Sequence, residues 1–195
     1  GFSSGNMLDT NELFFNKKHF YPNEYIKRVF DIDFQKLWKE NIKIIMLDLD
    51  NTLIPYDEDD PTGKIHELFE TIKSLGFEMY IISNNKKDRV KSFAKQVNAR
   101  YVYDARKPFK LGFKRALRYA NYPEPETVCL IGDQFMTDVL GGKRMGFYVI
   151  VVDTIKRKGE KWFTKISKHY EKRILARLKR TDPDFYYKLK LNEKG

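Results

Sequence analysis

The sequence carries one cysteine in 195 residues, Cys129. No disulfide can close within the chain, and the expectation is a reducing compartment. Cys129 sits in the apolar run Thr127-Val128-Cys129-Leu130-Ile131 and reads as an inert core residue. Long apolar runs are also missing. No stretch approaches the roughly 18 apolar residues of a membrane-spanning helix, and no charged-then-apolar leader pattern opens the chain. Internal repeats and low-complexity tracts are absent, which excludes repeat architectures. What remains is a globular chain, 42% hydrophobic and 33% charged, for which one domain is the natural expectation. A chain of this length buries roughly 70% of its unfolded surface. The expected location is cytoplasmic, with any membrane contact peripheral.

Acidic residues are scarce in one place only. Thr154 to Arg180 holds eleven Lys or Arg against two Glu, a net +9 of the chain's +10. Basicity is therefore a property of one segment. Within it Trp162, Ile166, Tyr170, Ile174 and Leu178 recur every four residues, among Lys161, Lys165, Lys168, Lys172, Arg173, Arg177 and Arg180. That pattern predicts a basic amphipathic helix, suited to an anionic membrane surface or to nucleic acid. Docking of its apolar stripe on the domain is the plainer alternative.

The run Ile44-Ile45-Met46-Leu47 is apolar and β-favouring, and it ends in Asp48-Leu49-Asp50-Asn51-Thr52-Leu53. Such a run reads as a strand buried on both faces of a parallel sheet. Ligand crevices of open α/β sheets lie beyond the carboxyl ends of their strands. Two carboxylates crowded there are costly without a compensating charge, and hard oxygen ligands suit Mg²⁺.

Strand and helix then alternate. Helices are predicted over Lys64–Ser74, Lys87–Val97, Leu111–Ala120 and Thr137–Met145, with strands at Phe77–Ile82, Tyr101–Tyr103, Thr127–Ile131 and Phe147–Val152. The pattern implies a Rossmann-like, three-layer parallel α/β sheet. Upstream, Pro22-Asn23-Glu24 is expected to open a helix bearing Tyr25, Ile26 and Val29, and Asp33 to cap a second one bearing Phe34, Leu37 and Trp38. The aromatics of this region, Phe14 and Phe15 included, are expected to pack on the domain body. Four segments follow: residues 1–6, ahead of Met7, as a cloning remnant; 7–41, aromatic and basic; 42–153, the core; and 154–195, the basic tail.

Candidate groups recur at the predicted strand ends: Asp48 and Asp50, then Ser83, then Lys107, then Asp133 and Asp138 in Gly-Asp-Gln-Phe-Met-Thr-Asp. This order resembles the four motifs of the haloacid dehalogenase superfamily, over about Ile44 to Val152. Pro22-Asn23-Glu24-Tyr25, Lys107-Pro108 and Gly132-Asp133-Gln134 with Thr137-Asp138 are similar to its subclass IIIA, whose members include phosphatidylglycerophosphate phosphatases.

The resemblance implies an Mg²⁺-dependent phosphomonoesterase. Asp48 would be the nucleophile and Asp50 the general acid and base, whose presence favours hydrolysis. Ser83, with Thr52 and Asn84, would bind substrate, and Lys107 would offset phosphoryl charge. Mg²⁺ would be held by Asp48, the backbone carbonyl of Asp50, and Asp133, with Asp138 auxiliary. The connections after the first two motifs are too short for a large cap domain, so the site is expected to lie open to a phosphate carried on something large. Lipid phosphate is the first substrate expected. Sugar or nucleotide monophosphates are the second, and a nucleic-acid or ribosome-associated binding role is a third, of another class.

Overall fold

Four consecutive apolar residues at the middle of a sheet need cover on both faces, and Ile44–Leu47 has it. In a computed structural model, which describes residues 17–155 and single positions Ala176, Lys179, Arg180, Pro183, Asp184 and Tyr187, this strand is wholly buried. Among the described residues six strands form one parallel sheet: β1 (Glu24–Ile26), β2 (Ile44–Leu47), β3 (Glu78–Ile82), β4 (Arg100–Val102), β5 (Val128–Gly132) and β6 (Tyr148–Val152). Their order is β1-β6-β5-β2-β3-β4. From β2 the chain moves outward through β3 and β4, then returns to β5 on the other side. The β2/β5 boundary is therefore the topological switch point, where a crevice opens.

Among the described residues 17–155, five α-helices cover the sheet: α1 (Phe34–Lys39), α2 (Gly63–Ser74), α3 (Lys87–Gln96), α4 (Lys110–Tyr119) and α5 (Leu140–Met145). Alternation along β2 splits the core in two. Ile45 and Leu47 join Met79, Ile81, Cys129 and Ile131 beneath Phe34, Leu37, Phe69 and Phe93. Ile44 and Met46 join Tyr80, Ile82, Leu130 and Val149 beneath Phe113, Ala116 and Phe147. Cys129 is fully buried, and burial pushes its thiol well above the ordinary range, as an inert core residue requires. The caps are local: Asp33 accepts from Lys36 N at 3.0 Å and Thr62 from Ile65 N at 3.2 Å.

Only residues 48–62 join β2 to α2, and 83–86 join β3 to α3, so neither connection carries a cap domain. The fold is the Rossmann-like, three-layer α/β sheet expected.

Two local expectations are corrected. The helix expected after Pro22 is a strand: Glu24, Tyr25 and Ile26 pair with Ile150, Val151 and Val152. Three residues are too few to show a period, and tertiary pairing decides. Asn23 anchors the pairing, its N–H donating to Val149 O and its Oδ1 accepting from Val149 N, both at 2.8 Å. The helix expected over Thr137–Met145 opens instead with a wide π-type turn, Phe135–Val139, before α5. That turn brings Asp138 wholly inside the protein.

Phe20, Val29, Phe34 and Leu37 are buried, while Tyr25 and Phe30 are exposed. Phe14, Phe15 and nearly all of the expected basic tail helix, with its stripe from Trp162 to Leu178, lie outside the described residues. Among the described residues no helix is long and apolar enough to cross a membrane.

Candidate active site

The carboxyl ends of β2 and β5 are adjacent, with Leu47 opposite Ile131. The pairing runs one step further, Asp48 N donating to Ile131 O at 2.9 Å. Asp48 and Asp133 thereby emerge side by side, each 8% exposed. Asp138 reaches the same point from the π-type turn. Oxygens of Asp48, Asp133 and Asp138 all lie within 4.8 Å of one another. Gly132 makes room: a Cβ there would collide with the Asp138 carboxylate.

One cation enters this cluster. Lys107 Nζ donates to Asp48 Oδ1 at 2.8 Å and to Asp138 Oδ1 at 2.7 Å. Burial works to lower the Lys107 ammonium, but the charges of Asp138 and Asp48 outweigh it and hold the group above its ordinary value. Burial raises Asp133 well above the carboxylate range, and the charges of Asp48 and Asp138 add to this. Burial likewise lifts Asp138 to about 6, with Lys107 pulling it down. Three carboxylates against one ammonium leave excess negative charge in a desolvated place. That donor set of hard oxygens fits a divalent cation such as Mg²⁺, and the protein's own charges favour one.

The remaining expected residues are placed around this centre. Thr52 Oγ1 lies 3.1 Å from Asp48 Oδ2 and 3.0 Å from Asp133 Oδ1, so its hydroxyl bridges the two carboxylates. Ser83 is buried, and its Oγ accepts from Asn85 N at 3.0 Å, capping the turn after β3 while its own proton stays available. Asn84 is a clamp on Lys107: Nδ2 donates to Lys107 O at 3.1 Å, and Oδ1 accepts from Lys107 N at 2.7 Å. Its amide is thus committed to the chain that carries the lysine, across from a cis Lys107-Pro108 bond.

Asp50 stands apart. Its carboxylate is outside the three-carboxylate cluster: Oδ1 accepts from Arg89 Nε of α3 at 2.9 Å and Oδ2 from Asn85 Nδ2, in the connection before α3, at 3.0 Å. From this position only its backbone is left for the cluster.

Four residues of the site escape the sequence reading. Arg89 reads as one more basic residue on a helix. Asn85 follows two other candidate polar residues with nothing to rank it. Thr154 reads as the start of the tail, yet its Oγ1 donates to Asp133 Oδ2 at 3.0 Å. Asn51 holds the loop with φ of 61°, accepting at Oδ1 from Tyr56 N and at its carbonyl from Ile155 N. An asparagine is among the residues that tolerate that left-handed backbone, which is the one signal the sequence offered.

This chain is similar to known proteins. It is 40% identical to the probable phosphatase YqeG of Bacillus subtilis (strain 168) over 164 residues, 84% of this chain and 94% of that protein. Crystal structures of an uncharacterized protein from Listeria monocytogenes serotype 4b and a hypothetical protein from Xanthomonas campestris are more distant. Their identities are 16% and 11%, each with a TM-score of 0.49. They cover 64% and 72% of this chain, and 87% and 82% of their own. The family assignment rests on the sequence matches alone. Residues 4–156 match the family described as mitochondrial PGP phosphatase, and the chain belongs to that family, a phosphatase of the haloacid dehalogenase superfamily.

Proposed function

We propose that the protein hydrolyses phosphate monoesters through an aspartyl-phosphate on Asp48, and that its substrate is phosphatidylglycerophosphate or a similar lipid phosphate. The observation that carries the chemistry is the buried set Asp48, Asp133, Asp138 and Lys107 at adjacent strand ends.

A carboxylate oxygen of Asp48 attacks phosphorus as the bond to the leaving alcohol breaks. Asp50 gives its proton to the departing alkoxide. Water then attacks the aspartyl-phosphate, Asp50 takes back a proton, and phosphate leaves with the Asp48 carboxylate restored. Lys107 spends two of its three N–H donors on Asp48 and Asp138, which leaves one for a phosphoryl oxygen. Ser83 and backbone amides beside it offer further donors. Thr52 and Asn84 act by position, Thr52 between two carboxylates and Asn84 on the lysine's backbone. Mg²⁺, when bound by Asp48, the Asp50 carbonyl and Asp133, with Asp138 as auxiliary, supplies positive charge to the phosphoryl group.

The lipid reading draws support from the family's description and from the uncapped site. A phosphate anchored by acyl chains in a surface reaches an open crevice more easily than a closed one. The basic segment 154–180 would add salt-sensitive attraction to anionic headgroups, at about 1 kcal/mol per Lys or Arg near the surface. Phosphate release is to be measured from vesicles containing phosphatidylglycerophosphate and from sugar and nucleotide monophosphates, with and without Mg²⁺. The proposal expects Mg²⁺-dependent turnover of the lipid well above the others. Preference for a soluble monophosphate would overturn the lipid part, and turnover untouched by chelation the metal part. Flotation with phosphatidylglycerol vesicles at low salt, reduced when Lys161, Lys165, Lys168 and Lys172 become Glu, tests the surface attraction.

A further inference from the structure

Arg89 is the cation at this site that the hydrolysis mechanism leaves without a task. It sits in the first turn of α3, its side chain 15% exposed. Nε and Nη2 both meet Asp50 Oδ1, at 2.9 and 2.8 Å, and Nη2 also reaches Pro55 O at 3.4 Å. Nη1 turns outward and donates to Asp59 Oδ1 at 3.0 Å. The two carboxylates differ sharply: the Asp50 side chain is 21% exposed and that of Asp59 is 88% exposed. A pair with so exposed a partner is weakly held and readily exchanged.

Position gives this a meaning. A carboxylate offers about four lone pairs. Arg89 Nε takes one on Oδ1, with Nη2 closing an ion pair on the same oxygen, and Asn85 takes one on Oδ2, which leaves an Oδ2 site for the leaving oxygen's proton. The acid must stand beside the leaving group, so the guanidinium that grips it also faces the leaving-group side. Lys107 instead is held by Asp48, the residue that receives the phosphoryl group, and by Asp138.

We infer that Arg89 is a specificity-determining residue that recognises a second anion on the leaving alcohol, with Asp59 as a built-in competitor that the substrate displaces from Nη1. The inference rests on the lipid reading above and narrows it. The substrate class is a phosphomonoester whose alcohol carries a phosphodiester a few atoms away, as a glycerol-linked headgroup does. Arg89 keeps Nε and Nη2 on Asp50 throughout, so one side chain both orients the acid and reads the leaving group. A guanidinium suits this because its donors form a fixed fork that serves two acceptors at once.

Two soluble probes separate recognition from lipid binding: glycerol 3-phosphate, and the same molecule bearing a methyl phosphodiester on its other terminal hydroxyl. The readout is the ratio of kcat/KM for the second probe to that for the first. The wild-type protein should prefer the two-anion probe. Arg89→Gln should lower the ratio about tenfold or more, as loss of a charge-assisted hydrogen bond does, and Arg89→Lys should keep part of it. Asp59→Asn should raise the ratio roughly two- to fivefold, the weight of an exposed pair. Asp60→Asn is the control: it removes the same charge from the same loop, where Asp60 accepts from Gln96 and does not touch Arg89.

No wild-type preference, equal loss on both probes in Arg89→Gln, or equal gains from Asp59→Asn and Asp60→Asn would each overturn the inference. Should Arg89→Gln fail to fold, Arg89→Lys and Asp59→Asn decide it. If the ratios behave as stated while lipid vesicles give no turnover, the lipid reading fails alone. If vesicles are turned over and the ratios do not move, this inference fails alone.

Discussion

Replacing Thr154 by Val removes one hydroxyl with little change of shape. Its Oγ1 donates to Asp133 Oδ2 at 3.0 Å, while Thr52 serves Oδ1 at the same distance. Asp133 is buried among carboxylates that push it toward its neutral form, and the Thr154 hydroxyl is a group that favours the ionised form. A hydrogen bond to a charged group contributes about 1.5–3 kcal/mol, which converts to a factor of about 10 to 100 at 1.4 kcal/mol per decade. A cation needs Asp133 ionised, so the penalty falls on metal affinity, in the range usual for partners of metal ligands. The assay is phosphate release from an aryl phosphate over an Mg²⁺ titration. Thr154→Val should need about 10 to 100 times more Mg²⁺ for half-maximal rate, with kcat near wild type at saturation, and Thr154→Ser should restore the wild-type curve. Superimposable Mg²⁺ curves for Val and wild type would refute the reasoning.

The other predictions concern the same cluster. Gly132→Ala should abolish turnover in a folded protein, because its Cβ meets Asp138; activity within a few-fold of wild type would mean that Asp138 can move without consequence. In chelator, Asp138 binds its proton more tightly folded than unfolded, since its carboxyl is lifted to about 6. Its contribution to stability is therefore full only below its ordinary value of 3.8 and lost as pH rises through 6, by on the order of 3 kcal/mol for a two-unit shift. The difference in unfolding free energy between wild type and Asp138→Asn should shrink accordingly, and a flat difference from pH 4 to 7 would count against it.

Much of the site can be read in the sequence because parallel strands advertise themselves. Ile44–Leu47 and Val128–Gly132 are continuous apolar runs, and polar residues at their ends have only the crevice to occupy. Asp48 and Asp133 follow from that, and Lys107 from its place between them in the order of the motifs. What the sequence hides is whatever depends on contacts distant along the chain. Arg89 meets Asp50 across 39 residues and Thr154 meets Asp133 across 21, and neither pairing leaves a local pattern. β1 is too short for periodicity, and its strand form comes from β6. The π-type turn at Phe135–Val139 carries Asp138 to Lys107 and Gln134 N, contacts that a regular helical pattern cannot express. Asn84 shows a subtler gap: its place at a strand end is legible, but its commitment to the Lys107 backbone is not.

The central claim is that phosphate passes through Asp48. Rapid quenching during turnover, followed by borohydride reduction and peptide mass spectrometry, tests it directly, because reduction converts an aspartyl-phosphate to homoserine. Homoserine should appear at position 48 in the wild-type protein in the presence of substrate and Mg²⁺, and at no other aspartate. Asp48→Asn should give neither homoserine nor phosphate release. Steady turnover with no modification at Asp48, or retained activity in Asp48→Asn, would contradict the account.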